Sequence, residues 1–114
     1  MAKSLATTRV LGGARTAAIA WLAVVRGASK GRDYRLARVT NIGRDATHSD
    51  IVLDDDAVSA EHVRVKLEGR RFVLYDLASL NGTLLNDERV HKQTLHDGDQ
   101  IAVGHTTFVF KQVE

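Results

Sequence analysis

From Ile19 onward the chain divides its apolar residues into short runs, separated about every 8 to 12 residues by Gly, Asp, Asn or Ser, and no stretch sustains helical spacing. Such a text folds as an all-β structure. Strands this short, with no proline and no helix to cover a face, bury their apolar residues by packing sheet on sheet, about 10 Å apart. The loops then collect at the two ends of the sandwich. Function belongs on those loops, because the strands fix their ends and leave their side chains free.

Trp21 to Val25 is a continuous apolar segment of strand length, which predicts burial on both faces. A second run passes from Tyr34 through Leu36 and Val39 to Ile42, with an interruption near Arg38 where the alternation loses phase. Ile51 to Leu53 is short and apolar. In His62 to Leu67, Val63, Val65 and Leu67 fall on one face and Arg64 and Lys66 on the other. Gly69 and Arg70 turn this strand into Phe72 to Tyr75, which predicts a hairpin. Further runs at Thr83 to Leu85, Arg89 to Val90, Gln100 to Val103 and Thr106 to Val113 are separated by turn formers: Asn86-Asp87, His96-Asp97-Gly98 and Gly104-His105.

A chain of 114 residues supplies one domain's core and not two. Residues 1 to 16 are rich in Ala, Thr, Gly and Arg without periodicity, and read as a flexible leader to a domain spanning 17 to 114. There is no cysteine, hence no disulfide or thiolate site. The longest uncharged apolar stretch, Ala17 to Val25, is about half of what a membrane-spanning helix requires. No apolar block with a small-residue cleavage site marks secretion, so a cytoplasmic location is expected. Residues 1 to 44 hold nine Lys or Arg against one acid, and residues 45 to 114 hold seven against thirteen. The positive charges are dispersed singly, without the interleaved aromatics that single-strand binding uses, which argues against nucleic acid as the main partner.

The polar residues that interrupt the strands form an ordered series: Ile42-Gly43-Arg44, Asp50-Ile51-Val52-Leu53, Val58-Ser59-x-x-His62, Asp76-x-x-Ser79-x-Asn81-Gly82-Thr83 and Asp97-Gly98-Asp99-x-Ile101-x-x-Gly104. One such piece means little. Five in order, from about Trp21 to Val113, closely resemble the forkhead-associated (FHA) domain family. The resemblance implies an eleven-stranded sandwich whose loops at one end bind phosphothreonine. The residue types suit that ligand: a phosphorylated side chain carries roughly −1.5 to −2 charge and three acceptor oxygens, so its site needs a guanidinium fork, hydroxyl donors and backbone N–H groups. Arg44 can supply the fork and Ser59 the hydroxyl, while Asn81 can pair with the partner's backbone. Ser49 and Thr83 complete the expected phosphopeptide contacts. Gly43, which would let the strand turn so that Arg44 points outward, and Gly82 and His62 are the expected structural support. Two positions depart from the family pattern, Ala60 where a basic residue often follows the serine and Ser49 where many members have Asn, and Thr47 and His48 join Ser49 as substitute donors.

Ser59, His62 and Asp76 invite assembly into a hydrolase triad, but no Gly-x-Ser-x-Gly elbow is present, and the family resemblance makes His62 a residue that holds Ser59 in place. Asp76 then serves as a loop cap. The remaining histidines, His48, His91, His96 and His105, lie in separate turns without ligand spacing, so no metal or other cofactor is expected. Asp54, Asp55 and Asp56 lack the spacing of a calcium loop and read as a solvated turn, able to repel acidic peptides. The chain therefore reads as a non-catalytic phosphothreonine-peptide-binding adaptor, acting with Ser/Thr kinases and their substrates. A phosphate-independent assembly module of the same fold is the alternative. Thr7 and Thr8, followed by Val10 and Leu11, also make the phosphorylated leader itself a possible ligand, against the plainer reading of ordinary linker threonines.

Overall fold

The computed structural model describes residues 18–113, which form eleven strands. In chain order these are β1 (Ile19–Arg26), β2 (Asp33–Arg35), β3 (Val39–Gly43), β4 (Ile51–Val52), β5 (Val63–Glu68), β6 (Arg71–Asp76), β7 (Thr83–Leu85), β8 (Glu88–Val90), β9 (Lys92–Thr94), β10 (Gln100–Val103) and β11 (Thr106–Val113). They build a five-stranded sheet in the order β9-β6-β5-β3-β4 and a six-stranded sheet in the order β2-β1-β11-β10-β7-β8. The leader read from the sequence, with Thr7 and Thr8, lies outside the described residues.

Alternation places one row of each strand between the sheets. Leu22 and Val24 of β1, Val63 and Val65 of β5, Leu74 of β6, and Ile101 and Val103 of β10 are all buried. Phe72 and Phe110 meet across the gap edge to face, with ring centroids 5.7 Å apart at 61°. That geometry adds about 0.5–1.5 kcal/mol to the burial of the rings. The β7–β8 hairpin turns on Asn86 and Asp87, both with positive φ, as the two-residue turn between paired Leu85 and Glu88 demands.

Two expectations change. The run from Trp21 to Val25 is not buried on both faces: Leu22 and Val24 are, whereas Trp21 and Ala23 are half-buried and Val25 is 43% exposed on the outside of the sheet. Among the described residues nothing covers its outer face. The sequence reading also lacks β9, whose Lys92, Gln93 and Thr94 carry no apolar signal and are held as an edge strand by pairing with Tyr75, Leu74 and Val73 of β6.

β3 and β4 pair in parallel, Ile42 with Ile51 and Gly43 with Val52, although only residues 44–50 connect them. Parallel neighbours ordinarily need a longer crossover. Here Asp50 clamps the loop: Asn41 N–H donates to Asp50 Oδ2 (2.7 Å) and Asp50 N–H to Asn41 C=O (2.8 Å). The connection must therefore stand out from the end of the sheet, and Arg44 opens it.

Candidate functional site

Pairing of Ile42 with Val63 and of Val63 with Asp76 brings the end of β3, the start of β5 and the end of β6 to one end of the sandwich. Three loops meet there, and residues 57–60 join them. Asn81 Nδ2 donates to Ala57 C=O (2.9 Å), Arg44 Nε to Val58 C=O (3.0 Å), Arg44 N–H to Ser59 C=O (3.0 Å) and Asp45 N–H to Ala60 C=O (3.1 Å). Four successive carbonyls of one loop thus anchor residues from the other two. Arg44 and Asn81 are exposed. Because Arg44 uses only Nε on Val58, its terminal N–H groups remain for a ligand, and the guanidinium plane is fixed. Asn81 likewise keeps its amide oxygen and one N–H.

Ser59 is held from both sides. Its N–H donates to His62 Nδ1 (3.0 Å), and its Oγ accepts from Leu80 N–H (3.0 Å), which leaves the hydroxyl proton to donate outward. His62 is fully buried and donates from Nε2 to Gly82 C=O (2.9 Å), so the ring is a neutral strut between the two loops. Both ring nitrogens are occupied by backbone, which leaves neither to deprotonate a serine. Asp76 does not orient the ring. It accepts from Ser79 N–H (3.1 Å), Ser79 Oγ (2.5 Å) and Thr83 Oγ1 (2.8 Å). Burial raises the Asp76 carboxyl, but the hydrogen bonds from Ser79 and Thr83 outweigh it and hold the group below the usual carboxylate range.

Thr83 corrects the sequence reading: it is fully buried with its hydroxyl committed to Asp76, so it braces the loop and offers no side-chain donor to a ligand. Ser49 faces the hub more loosely, its Oγ 3.5 Å from Ala60 C=O. Gly43 is required for a different reason than a turn. A Cβ there would lie 2.2 Å from Ala60 O, so only glycine lets the 57–60 loop rest on the strand. Gly82 has φ +84°, a left-handed conformation that favours glycine.

Three features escaped the sequence reading. Asp45 accepts from Thr47 N–H (2.9 Å) and pairs with His48 Nδ1 (2.7 Å), an Asp with a donor two residues on that marks an Asx turn. The hydrogen bond with His48 lowers the Asp45 carboxyl and raises the imidazole. Asp55 belongs to no freely solvated turn: it accepts from Ala57 N–H (2.9 Å) and His105 N–H (2.7 Å), tying the site loop to the β10–β11 turn. The backbone donors of His105 and then Ala57 bring its carboxyl down to about 2. Leu80, 84% exposed beside Asn81, is the third. Among the described residues no group of three or more His, Cys, Asp or Glu is placed to hold a metal ion.

Asp55 makes the loop acid-sensitive. Its folded value lies below the ordinary 3.8, so the stability it adds is present above about pH 4 and is lost as the pH falls toward 2. Thermal melts of wild type should decline more steeply across this window than those of Asp55→Ala, the two converging near pH 2. Parallel curves would remove the clamp.

A β-sandwich that gathers an exposed arginine, a serine hydroxyl and an asparagine on loops at one end is a loop-borne recognition domain. The chain belongs to the forkhead-associated family. Residues 23–114 match the family described as the inner membrane component of the type III secretion system, cytoplasmic domain. A domain from a structural and functional study of phosphothreonine-dependent FHA domain interactions is similar at a TM-score of 0.77 and 31% identity, over 84% of this chain and 98% of that one. EmbR of Mycobacterium tuberculosis, solved with a low-affinity phosphopeptide, is 38% identical with a TM-score of 0.75, over 82% of this chain and 24% of its own. The glycogen accumulation regulator GarA of Mycolicibacterium smegmatis is 40% identical over 91 residues, 80% of this chain. The chain spans only 58% of that relative's length.

Proposed function

We propose that this domain binds phosphothreonine-containing segments of partner proteins through Arg44, Ser59 and Asn81, and performs no chemistry on them. The observation that carries the reading is the anchoring of residues 57–60, which fixes all three side chains while leaving the guanidinium tips, one hydroxyl proton and one amide face unspent. A dianionic phosphate takes the first two as charge-assisted and neutral donors, and the partner's extended backbone takes the third. Ser49 stands close enough to add a donor. Gly43, His62, Gly82 and Thr83 act through the loops they hold.

The partners would be proteins that Ser/Thr kinases phosphorylate, or the kinases themselves, in the cytoplasm where such kinases work. No helix among the described residues is long and apolar enough to cross a membrane. The occupied nitrogens of His62 favour recognition over hydrolysis, and the retained donors favour it over phosphate-independent assembly.

An oriented phosphothreonine peptide library, with matched phosphoserine and unphosphorylated peptides, tests the reading. Phosphothreonine peptides should bind, and their unphosphorylated forms should not. Enclosing the threonine methyl contributes about 0.8 kcal/mol, so phosphoserine should bind roughly fourfold more weakly. Equal binding of phosphorylated and unphosphorylated peptides would overturn the proposal; equal affinity for the two phosphoresidues would remove the methyl contact alone.

A further inference from the structure

Both outer faces of the sandwich expose apolar side chains, but on the five-stranded sheet Val39, 41% exposed, stands opposite Lys66 among charged neighbours. On the five-stranded sheet, Arg64, Lys66 and Glu68 of β5 and Lys92 of β9 project outward; Arg64 donates to Asn41, and Lys92 lies over the Tyr75 ring. On the six-stranded sheet the outward row is Ile19, Trp21, Ala23 and Val25 of β1, beside Val109, Lys111 and Val113 of β11. Ala102 of β10 and Leu84 of β7 extend it. Val25 is 43% exposed, Val113 54% and Leu84 38%. Trp21, Ala23 and Val109 floor a shallow groove whose walls include Asp33 and Asp97, and among the described residues neither carboxylate forms an ion pair.

We infer that this groove is the docking site of the chain's own leader, with residues 1–11 folded back over β1. Three features of the sequence fit the groove. Residues 1–17 contain Lys3, Arg9 and Arg15 and no acid, the charge that Asp33 and Asp97 lack. Leu5, Val10 and Leu11 supply apolar side chains for Trp21 and Val109. Gly12-Gly13 supplies a reversal between those residues and Ile19, which sits at the groove's end opposite Val113. The reach is sufficient, since eleven extended residues span up to about 36 Å and the eight of β1 about 26 Å. The inference is independent of phosphopeptide binding, because the groove lies on a sheet face and not among the loops.

Trp21 is the chain's single tryptophan and reports the groove directly. Acrylamide quenching of the full chain should be severalfold weaker than that of a Val10→Asp, Leu11→Asp variant. The emission of the variant should shift to the red while its circular dichroism stays unchanged. Protection in wild type should be independent of protein concentration. Asp33→Asn should weaken it, and the wild-type protection should fall with added salt. Equal quenching of wild type and variant would overturn the assignment. So would protection that disappears on dilution together with a dimer in sedimentation, which would give the groove to a second copy.

Discussion

Arg44→Ala is expected to abolish measurable phosphopeptide binding in a protein that remains folded. The side chain is exposed and its Nε bond to Val58 C=O crosses only loops, so its removal opens no core cavity. Binding loses one or two charge-assisted hydrogen bonds to phosphate, about 2 to 4 kcal/mol, or roughly 30-fold to 1,000-fold in affinity. Lysine should rescue little. An ammonium is a single charged centre and cannot both donate to Val58 and present a planar pair of donors outward. Calorimetry on wild type, Arg44→Ala and Arg44→Lys, with melts to verify folding, decides the matter. Undiminished affinity in Arg44→Ala would separate Arg44 from the phosphate, and undiminished affinity in Arg44→Lys would remove the requirement for a planar pair of donors.

The parts of this molecule that were legible in the sequence are those where one residue type answers one physical demand. Val63, Val65 and Leu67 alternate because one side of β5 is core, and the Asn86-Asp87 pair turns because both positions have positive φ. Arg44, Ser59 and Asn81 stood out as polar residues in separators, and the structure brings their three loops together. What stayed hidden depends on partners distant in the chain. β9 is a strand because β6 offers it an edge, not because Lys-Gln-Thr prefers one. Thr83 looks like any hydroxyl donor until Asp76, seven residues away, is seen to occupy it. Gly43 reads as a turn residue in sequence, and only the arrival of Ala60 shows that its missing Cβ makes room for backbone. Trp21 to Val25 reads as doubly buried because an apolar run does not state which of its sides the sandwich core covers. The common cause is that alternation and turn chemistry are local, whereas occupancy and cover are properties of the fold.

His62→Ala is expected to produce a large loss of stability. The ring is fully buried, and its removal leaves the Ser59 N–H and the Gly82 C=O without partners in a space too enclosed for easy solvation. Each orphaned group costs about 1–3 kcal/mol, and the cavity adds to it, for a total of about 3–5 kcal/mol. In a domain of this size each kcal/mol corresponds to about 4–8 °C, so the melting temperature should fall by roughly 12–40 °C. Binding should suffer as well, though by another route. With the strut removed, Ser59 and the loop carrying Asn81 lose their fixed spacing, and the phosphate must order them at its own cost. At a temperature well below the variant's own transition, therefore, affinity should drop by less than in Arg44→Ala while stability drops by far more. The two substitutions are separable in both measurements. A His62→Ala protein that melts like wild type yet fails to bind would place the imidazole against the ligand instead of between the loops.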